Sequence, residues 1–151
     1  MLFRSQSLQQ ITLEEFLKGA EVIGGDSVEK WQQAVPVIRK QLADSSQFKK
    51  MYLYIFNAAQ ENKISLKNVA IDDACAYWQL LLGSKCNYLP KWSAFLQAKK
   101  AAKQLNVVTK DTWDMFYELL ESNKGDLSKS EDDGTWPTLI DDFCRQEKVF
   151  Q

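Results

Sequence analysis

Along Thr109-Lys-Asp-Thr-Trp-Asp-Met-Phe-Tyr-Glu-Leu-Leu-Glu121, apolar residues return at helical spacing. Trp113, Phe116, Tyr117 and Leu120 share one face of a predicted helix, and Thr109 is a good N-cap for it. Asp111, Asp114, Glu118 and Glu121 follow one another at intervals of three, four and three, which places them on the opposite stripe. The segment therefore reads as a surface helix with a wide aromatic inner face.

The same period recurs on both sides of it. Thr12-Leu-Glu-Glu15 is a capping box, after which Leu13, Phe16, Leu17 and Ala20 share a face until Gly24-Gly25 ends the run. Ser27 is placed to cap a second helix with Val28, Trp31 and Val35 on its apolar side. Pro36 is expected to break or restart that helix, since it has no amide donor and clashes one turn back. A third helix carries Phe48, Met51, Tyr52, Ile55, Phe56 and Ala59, and a fourth Ile71, Ala74, Cys75, Trp78 and Leu82. Pro90 suits the first turn of a fifth, with Leu89, Trp92, Phe95 and Leu96. A polar loop from Gly125 to Gly134 leads through Trp136-Pro137 to a last helix bearing Leu139, Ile140, Phe143 and Cys144. There is no stretch of sustained two-residue alternation and no internal repeat. The expectation is an all-α chain of about seven helices, one compact domain over residues 1–151, with the five tryptophans on core faces.

The composition agrees. A chain of 151 residues and 17.4 kDa, 45% hydrophobic and 26% charged, has the make-up of one folded domain. No apolar run approaches the roughly 20 residues needed to cross a bilayer, and the start has no signal-peptide core. With zero histidines, the usual nucleophile–imidazole pairs and histidine metal sites have no candidates. Cys75, Cys86 and Cys144 cannot all pair with one another and form no C-x-x-C motif, so they read as small core residues in a reducing compartment, cytoplasm or nucleus. No cofactor or metal site is expected.

Charge is balanced overall, at −1, but not along the chain. Residues 1–110 hold 15 basic and 9 acidic side chains, whereas residues 111–151 hold 4 basic and 11 acidic ones. An acidic final third predicts a basic partner surface. The basic excess is spread over Lys49-Lys50 and Lys99-Lys100-Lys103 without an accompanying aromatic motif, which points away from nucleic acid.

Acid in the first turn of the Thr109 helix suits the helix dipole, but Glu118 and Glu121 lie beyond it, and like charges at this spacing repel. An ordinary solvated face and a docking stripe both fit. A second acidic segment is Glu131-Asp-Asp-Gly-Thr-Trp-Pro-Thr-Leu-Ile-Asp-Asp-Phe143, where Asp141 and Asp142 flank the apolar side of the last helix. An EF-hand reading fails, because it puts Lys129 first and Ile140 twelfth where carboxylates are required. Nothing nearby supplies a nucleophile, an oxyanion donor or a phosphate loop, so no catalytic residue is assigned.

Lys110-Asp-Thr-Trp113 followed by Asp132-Asp-Gly-Thr-Trp-Pro-Thr-Leu-Ile-Asp-Asp-Phe143 resembles the C-terminal signature of the DCN-like (defective in cullin neddylation) family and its potentiating-neddylation (PONY) domain. Gly25-Asp-Ser-Val-Glu-Lys30, Gln47-Phe-Lys49, Phe56-Asn57, Ala76-Tyr-Trp78 and the Trp92/Phe95 pair extend the resemblance over nearly the whole chain. It implies a non-enzymatic co-ligase. Such a protein binds the C-terminal winged-helix domain of a cullin through an Asp-Ala-Asp patch. It also takes the N-acetylated N-terminus of the neddylation E2 into an apolar pocket, with the cullin-associated RING protein as a further neighbour. Neither nucleic acid nor membrane is implied.

Carried over by position, the cullin patch falls on Asp111, Thr135 and Asp141, with Asp114 and Glu118 beside it, and Thr135 stands where the family has alanine. The implied E2 pocket falls on Leu8, Ile11, Ala58, Tyr77 and Leu80. Tyr77 and Leu80 match the family lining. Ile11 and Ala58 replace phenylalanines, and Leu8 replaces a glutamine. Family members carry a further helical section before this point, with an EF-hand-like pair, and Met1-Leu-Phe3-Arg4 aligns with the end of its last helix. The resemblance thus implies a PONY domain shortened at its N-terminus, with short insertions near Asn62–Asn68 and Lys99–Val107. The alternative is a helical interaction module that presents its acidic face to another basic protein.

Overall fold

The computed structural model describes residues 7–8, 10–25, 27–60, 68–124, 127 and 136–147. Among these there are seven helices and two short strands, in the order α1 (Leu13–Ile23), α2 (Val28–Leu42), α3 (Ser45–Ala59), β1 (Asn68–Ala70), α4 (Ile71–Leu82), α5 (Leu89–Ala101), β2 (Val107–Thr109), α6 (Lys110–Ser122) and α7 (Thr138–Gln146). The chain is all-α, as expected, and divides into two compact units, Met1–Lys63 and Ile64–Gln151.

In the first unit the helix ends are set by local chemistry. The Thr12 hydroxyl accepts from the Glu15 amide at 3.2 Å while the Glu15 carboxylate accepts from the Thr12 amide at 2.8 Å, completing the capping box. Gly24 ends α1 with φ +62°, and the Gly25 amide reaches back to the Ala20 carbonyl at 2.9 Å. Ser27 and Asp44 cap α2 and α3 through their side-chain oxygens. Pro36 does not break α2, which runs through it to Leu42. Gln32, whose carbonyl loses its amide partner to the proline, is exposed, as is Pro36 itself, so water can serve that group. Phe16 stacks on Trp31 at 5.7 Å, and the Trp31 indole N–H donates to the Gly25 carbonyl at 3.1 Å. The apolar faces of α1 and α2 remain largely open, with Leu13, Phe16, Leu17, Val22 and Val28 all exposed.

The second unit closes around aromatic rings. Trp78, Trp92, Trp113, Phe116 and Phe143 are buried, each in contact with at least one of the others. Trp78 stacks on Trp113 at 4.8 Å and Trp92 on Phe116 at 4.7 Å. Such pairs add about 0.5–1.5 kcal/mol each beyond the area they bury. One feature differs from the sequence expectation: β1 and β2 form an antiparallel pair with Val69 opposite Val108, both buried. Three residues are too few to show alternation. The pair leads directly into α4 and α6, which leave it from opposite ends because the strands run antiparallel.

Candidate protein-interaction site

The sequence-derived cullin patch is built on α6 and α7, which pack on one another. β2 delivers the chain into α6, and the Thr109 hydroxyl caps it by accepting from the Thr112 amide at 3.2 Å. Trp113, Phe116, Tyr117, Leu119 and Leu120 are buried on its inner side, which fixes the rotation of the helix. Asp111 consequently stands exposed in the first turn, Asp114 and Glu118 half-buried, and Glu121 exposed. Lys110 forms an ion pair with one oxygen of Asp114, while the other is buried without a hydrogen-bond partner. Burial, reinforced by the charge of Glu121 and Glu118, pushes the Tyr117 phenol far above its ordinary value, so it stays protonated throughout the neutral range.

α7 follows Pro137, whose carbonyl accepts from the amides of Ile140 and Asp141 at 2.8 and 3.1 Å. Ile140, Phe143 and Cys144 are buried, and Asp141 and Asp142 lie half-buried beside them. Asp141, in the first turn, suits the positive end of the helix dipole. Asp142 is turned onto Lys99 of α5 at 3.2 Å. Thr135 lies outside the described residues. So do Lys129 and the rest of the loop considered for an EF-hand as far as Gly134.

The five residues assigned to an E2 pocket divide between the two units. In the first, the Leu8 amide donates to the Ala58 carbonyl at 3.1 Å, Ala58 is buried, and Ile11 is 47% exposed. In the second, Tyr77 is half-buried on α4 and Leu80 is 79% exposed. Ile11 and Leu80 are therefore not core residues.

Lys99 and Lys110 were named in the sequence, but their pairing with the carboxylates of the patch was not. Lys110 and Asp114 are four apart on one helix, a spacing from which their pairing can be read. The Lys99–Asp142 pair joins residues far apart in the chain and has no local signal. The three cysteines are free thiols: Cys86 and Cys144 are buried and Cys75 is half-buried, with burial raising the Cys75 and Cys86 thiols above their ordinary values. Among the described residues no group of three or more carboxylates and thiols is placed to hold a metal ion, and no helix is long and apolar enough to cross a membrane.

The carboxylates of α6 and α7 thus stand on a closed aromatic core. The profile of the family described as Cullin binding matches residues 30–146, and the chain belongs to that family. It is 30% identical to the "Defective in cullin neddylation protein 1" of Caenorhabditis elegans, with 95% of this chain and 55% of that protein aligned. It is 35% identical to the human "DCN1-like protein 5" over 97% of this chain and 60% of the relative. With the human "DCN1-like protein 4" the identity is 33%, over 95% of this chain and 47% of the relative. The chain thus spans about half to three-fifths of the length of these relatives.

Proposed function

We propose that this protein is a scaffold-type co-ligase for cullin neddylation. It binds the winged-helix region of a cullin through Asp111, Thr135 and Asp141, supported by Asp114 and Glu118. It binds the acetylated N-terminus of the neddylation E2 through Leu8, Ile11, Ala58, Tyr77 and Leu80, with the RING protein on the cullin as a neighbour. The observation that carries the reading is the family match, which spans both patch carboxylates. Exposure of Asp111 and the half-exposed first turn of α7 suit a basic partner. The exposed Ile11 and Leu80 suit an apolar ligand.

On this reading the scaffold supplies neither acid, base nor nucleophile. The thioester cysteine belongs to the E2, and the rate gain comes from holding thioester and cullin lysine close together, which removes the entropy cost of a bimolecular encounter. Such a protein works wherever cullins are modified, in cytoplasm or nucleus, and needs no cofactor.

Titration calorimetry of the chain with a recombinant cullin winged-helix domain tests the reading. Binding is expected to weaken as salt rises from 50 to 300 mM, roughly in line with screening of the charge pairs. Asp111→Ala and Asp141→Ala are each expected to cost about 2–5 kcal/mol by leaving a partner cation unpaired, with helical circular dichroism unchanged. Unchanged affinity in both variants sinks the proposal. A chain that ignores cullins but co-purifies with another basic protein is instead the helical interaction module.

A further inference from the structure

α7 has nine residues and no side-chain cap at its start. A helix that short does not hold its own position, so its register is set by what it docks against. Lys91, Phe95 and Lys99 of α5 lie four residues apart, one above the other on a single stripe. Phe143 of α7 sits against Phe95 at 5.5 Å and Trp92 at 5.1 Å. On either side of that contact is an ion pair: Lys91 Nζ to Glu147 Oε2 at 2.8 Å, and Lys99 Nζ to Asp142 Oδ2 at 3.2 Å. The early lysine takes the late carboxylate and the late lysine the early one, which suits two helices running antiparallel. Each ammonium also lies over a ring of its own segment, Lys91 at 5.8 Å from the Tyr88 centroid and Lys99 at 5.1 Å from that of Phe95. The rings hold the lysines ready for α7.

We infer that Lys91 and Lys99 are positioning residues for Asp141. By gripping both ends of α7 they fix its rotation and register on α5, and so the direction in which the neighbouring Asp141 carboxylate is presented to a basic partner. The inference rests on the reading of Asp141 as a cullin contact. It predicts the opposite of simple electrostatics. As mere charges beside an acidic patch the lysines repel a basic partner, and neutralising them should tighten binding. As a clamp, they strengthen it.

The test is a mutant cycle on the 151-residue chain with a recombinant cullin winged-helix domain at about 0.15 M salt, where screening sets in within about 8 Å. Lys91→Gln with Lys99→Gln is expected to weaken binding about tenfold, the size of coupling usual between residues of one network. Lys91→Arg with Lys99→Arg should stay within twofold of wild type. The loss should vanish when Asp141→Asn is already present and persist in full with Asp111→Asn. Amide exchange along α7 should accelerate in the glutamine pair while that of α4 and α6 does not. Unchanged or tighter binding by the glutamine pair overturns the inference, as does an equal loss in the Asp141→Asn background, which marks general loosening. If Asp141→Asn alone leaves binding intact, the underlying assignment of Asp141 fails, and the positioning role falls with it.

Discussion

Residues 1–63 and residues 64–151 differ both in how their helices start and in where they place their apolar faces. Side-chain caps stand on α1, α2 and α3, but among the described helices of the second unit on α6 alone. In the first unit α1 and α2 are defined by a capping box, a serine cap and a left-handed glycine, while Leu13, Val22 and Val28 stay 73%, 72% and 68% exposed. An open groove of ≈ 940 Å³ runs between these helices, lined by Phe16, Leu17, Ala20, Val28 and Trp31. In the second unit the apolar faces of α4 to α7 are buried, and three tryptophans are fully enclosed. Caps decide where a helix starts and stops, for about 1 kcal/mol each. Burial decides how firmly it is held.

The widest gap between the units should therefore appear when a tryptophan is removed from each. Trp92 touches Trp78, Phe95, Phe116 and Phe143, and Trp92→Ala is expected to cost about 3–5 kcal/mol by leaving a large cavity. Trp31 is half-buried, stacked on Phe16 and bonded to the Gly25 carbonyl, and its change to Ala should cost roughly 1 kcal/mol. Urea unfolding followed by circular dichroism measures both, and equal losses would erase the distinction. Trp92→Phe sharpens it. The buried Trp92 indole N–H has no hydrogen-bond partner, so its removal partly offsets the lost volume and the variant should be far milder than Trp92→Ala.

The caps give a smaller contrast. Thr12→Ala and Thr109→Ala each delete a side-chain acceptor at a helix start and should each cost about 1 kcal/mol. The location of the loss should differ. Thr109 caps a helix whose inner face is packed, so its loss should lower the stability of the second unit as a whole. Thr12 caps a helix with an open face, and its loss should speed amide exchange in α1 alone. Hydrogen exchange resolved by residue separates the two.

What could be read in the chain beforehand follows the same division between local and distant causes. The inner faces of α4, α5 and α6 were legible because fully apolar sides at helical period leave few alternatives, and Trp78, Trp92, Trp113 and Phe116 are all buried. The caps at Thr12, Ser27 and Thr109 were legible because they act within three residues. Pro36 misled, since the rule against proline inside a helix weakens where the freed carbonyl meets water. The β1–β2 pair escaped notice because it joins residues about forty positions apart. At the candidate site Asp111 and Asp141 came from motif resemblance, and the structure adds what motif spacing could not supply. Asp142 beside the patch has its own lysine, contributed by α5 across 43 positions, and Asp114 is already paired.

The finest comparison lies in how α1 and α5 end. Both close with the chain turning left-handed, at Gly24 with φ +62° and at Lys103 with φ +57°. At α5 the Lys103 amide reaches the Lys100 carbonyl at 2.9 Å and the Gln104 amide the Lys99 carbonyl at 3.0 Å, the paired bonds of a Schellman ending. A side chain in this conformation costs about 1–2 kcal/mol, while glycine adds about 0.4–1 kcal/mol of unfolded-chain entropy. At their midpoints the two terms leave glycine ahead by about 0.8 kcal/mol. Nothing lies within 4 Å of a Cβ placed on Gly24, so Gly24→Ala meets no clash and should lose only that difference. Lys103→Gly should gain the same amount, and because it ends a helix of the packed unit the gain should raise the melting temperature by about two or three degrees. Opposite signs of similar size, read by thermal unfolding of the two variants side by side, are the expected result. A loss in both would mean that the Lys103 side chain contributes more than its backbone strain takes away.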